Sequence, residues 1–363
     1  MVNRLVFENL KHRPVRNFLS AILIGVGVTM ILSLVGVSKG VVGDIATRSR
    51  GTGADIMVRP PGSSLFNMSG SNMPEKVVAI VRQQPHVALA TGTFIQPVGT
   101  LFTSIAGIHL DEFNEMSGGF HYIEGGPFTA PHEMVVDEVQ AHTEHLHPGS
   151  TMDFGNKWTV TGVVESGKLS RMFAQIEPLQ DEYSQTGKIS VVWVKVDDPA
   201  NIPTVISELK EKLDDYKVLT MDEMTSLLSA NNVPILQGFT KVVIGISVVV
   251  GFLVVSLSMY TAVLERTREI GILKALGASP SYVMGILIRE TVLLAIAGSI
   301  FGILMTYGAQ ILMRTFAPTF PMVMVKIWWP ITAGLALAGS LVGALGPGFK
   351  AARQDAIEAL SYD

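Results

Sequence analysis

Glu265-Arg266-Thr267-Arg268-Glu269-Ile270-Gly271-Ile272-Leu273-Lys274 places two glutamates, two arginines and a lysine in one short stretch. Charges of both signs at this density form ion pairs readily, and beside a membrane they are available to bind a partner protein. A second group has metal-like residue types. His142, His145 and His147 lie near Glu138 and Glu144. His142 and His145 are three apart, so one helical face can present both. The same segment also reads as an ordinary polar helix end running into His147-Pro148-Gly149, and on that reading it holds no metal. Other chemistries lack their residues. No G-x-x-x-x-G-K-[ST] occurs, since neither Gly167-Lys168 nor Gly187-Lys188 fits it, so no phosphate-cradling loop of the usual kind is expected. H-E-x-x-H is absent. Cysteine is absent too, which removes disulfide and thiolate chemistry. We expect no catalytic residue and no metal site in this chain.

The elements that must position the charged stretch are apolar. Val242 to Leu264 precedes it and Thr291 to Met313 follows it, neither with a charge. A hydrocarbon core of about 30 Å takes about 20 apolar helical residues, so both flanks are long enough to cross a bilayer. Two further runs qualify: Phe18 to Val37, and Ile327 to Phe349, which opens on an interfacial Trp328-Trp329 pair. Gln83 to Leu110 is also uncharged. It is interrupted by Pro85, Pro97 and glycines, and it reads as short strands and turns, because lipid leaves a broken backbone unsatisfied. No charge lies within the four runs, which disfavours an ion-coupled carrier. Gly36 and Ser38 fit a small-residue cleavage site. However, the first run exceeds the usual length of about 7–15 residues, and a basic arm precedes it, so a retained anchor is expected.

Composition divides the chain. Hydrophobic residues make up 48% and charged residues 16%, below the roughly 25% charged of soluble domains. Residues 41–240 hold 13 Lys+Arg against 24 Asp+Glu, a net of −11, and the remainder holds 14 against 7, a net of +7. An acidic insert is therefore spliced into a basic, apolar scaffold, which argues against nucleic acid as a partner. The cations also set orientation. Arg4, Lys11, Arg13 and Arg16 precede the first run; Arg266, Arg268, Lys274 and Arg289 lie between the second and third; Lys350 and Arg353 follow the fourth. All three segments fall on one side, the cytoplasm, and the insert lies outside.

The expected fold is an α-helical membrane protein with four transmembrane helices plus an inserted α+β extracytoplasmic domain. The expected boundaries are an interfacial helix at 1–17, spans at 18–40, 236–264, 291–313 and 327–349, and an external domain with its stalk at 41–235. A cytoplasmic segment follows at 265–290, an external loop at 314–326 and a cytoplasmic tail at 350–363. The arm at 1–17 reads equally as a membrane-flanking segment without a partner. Within the insert, strands are expected at Ala54–Val58, Met134–Val136, Lys157–Val164, Ile189–Val196 and Lys217–Thr220. Helices are expected at Pro74–Gln84 and Asn201–Leu213, and after Val136. Gly298-x-x-x-Gly302 and Gly339-x-x-x-Gly343 permit close helix approach, and one of these faces is expected to pack within the subunit.

Val263-Leu264-Glu265-Arg266-Thr267-Arg268-Glu269-Ile270-Gly271-Ile272-Leu273-Lys274-Ala275-Leu276-Gly277-Ala278-Ser279 closely resembles the hallmark of the FtsX/MacB-type ABC transporter permeases. Glu8-Asn9-Leu10 with Arg13-Pro14-Val15-Arg16 is similar to that family's N-terminal arm. Met134 to Ser166 is similar to its external strand-helix-strand pattern, and Pro347 with Ala351-Ala352 to Leu360 to its C-terminal tail. The resemblance spans nearly the whole chain. It implies a dimer with a second permease copy or paralogue, membrane lipids around it, and a separate ATPase subunit that carries ATP and Mg. No cofactor is then bound by this chain, which is not an enzyme by itself. It also implies an ATPase-coupling role for Glu265, Arg266, Arg268, Glu269, Gly271, Lys274, Leu276 and Gly277, the alternative being a merely solvated loop. The implied location is the bacterial inner membrane, with residues 41–235 extracytoplasmic and a periplasmic adaptor or target within reach. Two functions fit: export or extraction of an amphiphilic substrate such as a drug, lipid or lipoprotein, and regulation of a periplasmic enzyme or sensing of a ligand without transport. A membrane enzyme is disfavoured by the missing catalytic residues.

Overall fold

The computed structural model describes residues 14–63, 71–99, 103–227, 234–265 and 267–353. The arm before Pro14, most of the Ser63–Ser71 loop, Arg266 and the tail after Arg353 lie outside the described residues. The chain divides into two units. One comprises Met1–Ser38, Pro234–Arg314 and Met322–Asp363, and the other Lys39–Val233 and Thr315–Pro321.

In chain order, helix α1 (Pro14–Arg50) leads to strands β1 (Ile56–Arg59) and β2 (Met73–Pro74), helix α2 (Lys76–Arg82), and strands β3 (Val87–Pro97) and β4 (Ser104–Ile108). Helix α3 (Leu110–Ser117), β5 (Tyr122–Gly125), β6 (Glu133–Asp137), α4 (Glu138–Glu144), β7 (Thr151–Asp153), β8 (Lys157–Val164) and β9 (Met172–Gln175) follow. Next come α5 (Ile176–Glu182), β10 (Lys188–Ile189), β11 (Val191–Val196), a short 3-10 turn, α6 (Ile202–Lys212), β12 (Lys217–Thr220) and α7 (Met221–Leu227). The chain closes with α8 (Pro234–Glu265), α9 (Thr267–Ala275), α10 (Pro280–Phe316) and α11 (Trp328–Arg353).

The external unit is a mixed sheet in the order β12-β1-β11-β3-β4-β9-β6-β8-β5, with β7 added on β8. The pairs β4–β9 and β6–β8 are parallel and the others antiparallel. Strand β3 is the longest, and it contradicts the reading of Gln83–Leu110 as short strands. Its β-branched and aromatic residues pair along β11 from Val191↔Thr93 to Val196↔Val87, then along β4 from Phe94↔Gly107. The alternation of β3 is lost because Ala90 to Ile95 are all buried, so period-two counting had nothing to detect. One face is covered by α2, α5 and α6, and Val77, Val81, Ile176, Leu179, Val205 and Leu209 pack into the core.

Among the described residues four helices, Pro14–Arg50, Thr240–Glu265, Pro280–Phe316 and Trp328–Arg353, are long and apolar enough to cross a membrane. The helices run past the expected spans. Helix α1 continues beyond residue 40 to Arg50, α10 begins at Pro280 ahead of residue 291 and ends at Phe316, and α11 continues past residue 349 to Arg353. Helical hydrogen bonding does not stop where apolar composition stops. Polar turns continue the helices, and Arg289 and Glu290 are inside α10, with Glu290 buried.

Both glycine pairs pack within the subunit. A Cβ on Gly302 would lie 2.6 Å from Gly25 O of α1, and one on Gly343 would lie 2.6 Å from Phe252 O of α8. Pro347 sits inside α11 and cannot donate to the carbonyl four residues earlier. That carbonyl, Gly343 O, accepts instead from Ser256 Oγ of α8 at 2.8 Å. The small residue and the hydroxyl together turn a helix defect into a helix–helix contact.

Candidate functional site

The charged stretch forms the end of α8, up to Glu265, and the whole of α9, from Thr267. Helix α9 stops at a Schellman motif. Gly277 has φ +93°, Gly277 N donates to Lys274 O at 2.9 Å, and Ala278 N donates to Leu273 O at 3.0 Å. A glycine belongs there because a Cβ is disfavoured at that φ. Ser279 Oγ then accepts from Tyr282 N at 3.3 Å and Pro280 opens α10, the usual chemistry of a helix start. Two rigid elements are thus joined by a turn of fixed geometry.

Helix α9 has two unlike faces. Thr267, Ile270 and Gly271 are buried, and Ile270 shares a core with Ile24, Val255, Met259, Val283, Leu287 and Ala351 of the surrounding spans. Arg268, Glu269, Ile272, Ala275 and Leu276 are exposed, and their spacing puts them on one side. Leu276 is 81% exposed and faces fully out. Arg266 lies outside the described residues.

Two of the charges are already engaged. Glu265 Oε2 accepts from Arg16 Nη1 of α1 at 2.6 Å. Lys274 Nζ donates to Ala352 O at 2.8 Å, placing a cation on the C-terminal carbonyls of α11. Helix α9 is therefore tied to the first and fourth spans as well as joined to the second and third. The amino-acid sequence gives no sign of this tie, because a pairing across 249 residues has no local signature. Lys350 Nζ also lies 4.9 Å above the Tyr260 ring, a cation–π contact between α11 and α8.

The histidines do not converge. His145 is the left-handed C-cap of α4 with φ +53°, so it leaves the face that carries His142, and His147 Nδ1 lies 3.3 Å from Glu124 Oε2. Among the described residues no group of three or more His, Cys, Asp or Glu is placed to hold a metal. No G-x-S-x-G nucleophile elbow is expected from the sequence, yet Gly36-Val37-Ser38-Lys39-Gly40 has that spacing. It lies inside α1, with no strand-to-helix turn to expose the serine.

Four helices long and apolar enough to cross a membrane, a mixed α+β unit inserted between the first and second, and a short two-faced helix between the second and third make up the fold. The MacB-like periplasmic core domain model matches residues 17–212, more than half of the chain, and the FtsX-like permease C-terminal model matches residues 241–356. The chain belongs to this family of ABC transporter permeases, of MacB/FtsX type. It is 31% identical over 214 residues to the uncharacterized ABC transporter permease YknZ of Bacillus subtilis, covering 56% of this chain and 52% of that one. It is 23% identical over 396 residues to the macrolide export ATP-binding/permease protein MacB 1/2 of Paracoccus denitrificans, covering 98% of this chain and 58% of that one. The chain thus spans about half the length of these curated relatives. The crystal structure of the periplasmic region of MacB from Actinobacillus actinomycetemcomitans aligns with 49% of this chain and 94% of its own, at 16% identity and a TM-score of 0.38.

Proposed function

We propose that this chain is the permease subunit of an ABC transporter in which a separate ATPase subunit docks on α9 and drives motion of the external unit. The observation that carries the reading is the outward face of α9. Arg268 and Glu269 offer charge, Ile272 and Leu276 offer apolar area, and the helix behind them is held to the spans by Arg16–Glu265 and Lys274–Ala352. A face that combines exposed apolar anchors with a charged rim suits a protein partner. The complex works as a dimer of permeases in the bacterial inner membrane, with residues 41–235 outside the cytoplasm, and ATP and Mg reside on the ATPase.

Export or extraction of an amphiphilic substrate is the first reading of what that motion does. A regulatory role, acting on a periplasmic target, has its own support. Two clefts of the external unit mix charged with apolar lining: one of about 310 Å³ has Glu75, Arg82, His109 and Glu112 beside Val78 and Ala79, and a more open one of about 650 Å³ has His132, Glu177, Asp181 and Glu182 beside Pro131 and Pro178. Their carboxylates suit a partner that carries cationic groups.

Reversing Arg268 to Glu tests the docking claim, since it changes one exposed charge and leaves the spans untouched. Like charges brought together at an interface cost several kcal/mol, so the ATPase should co-purify poorly and turn over slowly in reconstituted membranes, while membrane insertion stays normal. Wild-type co-purification and turnover in this variant would show that α9 is not the docking element.

A further inference from the structure

Helix α1 contributes its last turns, from Lys39 to Arg50, to the external unit. A closed ionic chain lies there. Asp44 Oδ2 accepts from Arg48 Nε at 2.9 Å and from Arg171 Nη2 at 3.1 Å. Arg171 Nη1 donates to Asp137 Oδ2 at 3.1 Å, Asp137 Oδ1 accepts from Gln140 N at 2.7 Å, and Arg48 Nη1 donates to Leu169 O at 3.3 Å. Two carboxylates and two guanidiniums balance in charge. The side chains of Arg171 and Asp137 are 3% and 2% exposed. Replacing a buried ion pair by apolar residues often gains stability, so such groups are weak evidence of stability and fit a role in fixing geometry better.

The partners are far apart in the sheet. Helix α1 leads into β1, whereas Arg171 precedes β9 and Asp137 ends β6, the fourth and fifth strands beyond β1 in sheet order. The helix therefore grips one half of the sheet through the chain and the other half through charge. Backbone contact closes the same junction. A Cβ on Gly51 would collide with Gly167 O, and one on Gly53 with Met116 O. By contrast, the ion pair from α1 to α7 among the described residues, Arg50–Asp222, is long at 3.8 Å and exposed on both sides.

We infer that Asp44 and Arg171 are positioning residues: they brace α1 against β6 and β9, so that displacement of α1 moves the whole external sheet and not β1 alone. This rests on the ATP-driven motion proposed above, but the brace has a test of its own. The chain has no cysteine, so spin labels at Lys39→Cys and Glu165→Cys, both exposed positions of the external unit, report the α1-to-sheet distance in the full chain in lipid nanodiscs. Asp44→Asn leaves the Arg171–Asp137 pair in place, so the domain keeps its fold. A hydrogen bond lost from a charged group should raise the population with α1 detached roughly tenfold. Asp44→Glu should restore the narrow distance, and Gly51→Val should detach α1 with every charge intact. A distribution in Asp44→Asn as narrow as in wild type would overturn the brace.

The second measurement adds ATP to the complex with its ATPase. A merely structural contact would broaden the distance and leave the ATP response of the sheet alone. The brace requires that Asp44→Asn keep ATP turnover while the sheet loses its response. Equal responses in the variant and wild type would overturn the inference. No response in wild type would defeat the coupling reading instead, leaving the brace to the first measurement.

Discussion

The two units hold themselves together by different means. In the external unit, large side chains fill one core: Trp193, Trp158, Phe94 and Phe173 are wholly or almost wholly buried, and Trp193 Nε1 donates to Thr93 Oγ1 at 3.1 Å. In the span bundle a core of medium-sized residues, Ile24, Val255, Met259, Val283 and Leu287, is supplemented by backbone contact at glycine. Gly302 meets Gly25 O, Gly343 meets Phe252 O, and Thr29 Oγ1 donates to Gly302 O at 3.0 Å. Leu253, Leu257, Leu304 and Ile311 of the same helices face outward. Water drives apolar groups into a core, but lipid is as apolar as leucine and offers no such drive, so spans associate by backbone proximity and hydroxyl bonds. The external unit thus closes on buried aromatic side chains, whereas the spans bury medium-sized residues and add backbone contact at glycine.

The comparison can be broken most sharply at Trp193. Truncation to alanine removes a buried aromatic and strands Thr93 Oγ1, and should cost about 3–5 kcal/mol. Protease protection of the external unit should be lost while the spans still insert. A protected external unit in Trp193→Ala would mean that its core does not depend on large side chains. Gly302→Val is the counterpart in the bundle. It forces α1 and α10 apart at about 1–3 kcal/mol, which should appear as a lower unfolding temperature in detergent with the external unit intact. An unchanged temperature would show that the two helices are not held by close approach.

The smallest effect concerns pH, to which the external unit should respond through a buried carboxyl. Burial pushes Asp137 up to about 6 from its usual 3.8, against the pull of the Arg171 guanidinium and the Gln140 amide. Between those two values the folded chain holds a proton that the unfolded chain has released. Its contribution to stability is thus full below about 3.8 and is lost as pH rises through about 6. Unfolding of the external unit should shift by a few degrees over that window, and Asp137→Asn, which can still accept from Gln140 N, should flatten the response. The same pH dependence in the variant would assign it to another group.

How much could be read in advance differs along the chain for physical reasons. Strands β8 and β12 lie where alternation and turn residues placed them, at Lys157–Val164 and Lys217–Thr220. Helix α3 at Leu110–Ser117 was not anticipated, nor was β9, because the one is short and the other is buried on both faces. The glycine after α9, with φ +93°, has a local cause, the hydrogen bonding of a helix cap.

By itself the amino-acid sequence determined the four spans, the acidic insert between the first two, the charged stretch after the second and the family, since each depends on composition or order along a short window. Only the tertiary structure decided which charges are engaged and which remain outward. Glu265 and Lys274 turn to Arg16 and Ala352, Arg268 and Glu269 stay exposed, and Asp44 meets Arg171 across 127 residues. A charge has no preferred sequence separation. Its partner is chosen by where the fold brings the chain back, and no local pattern carries that choice.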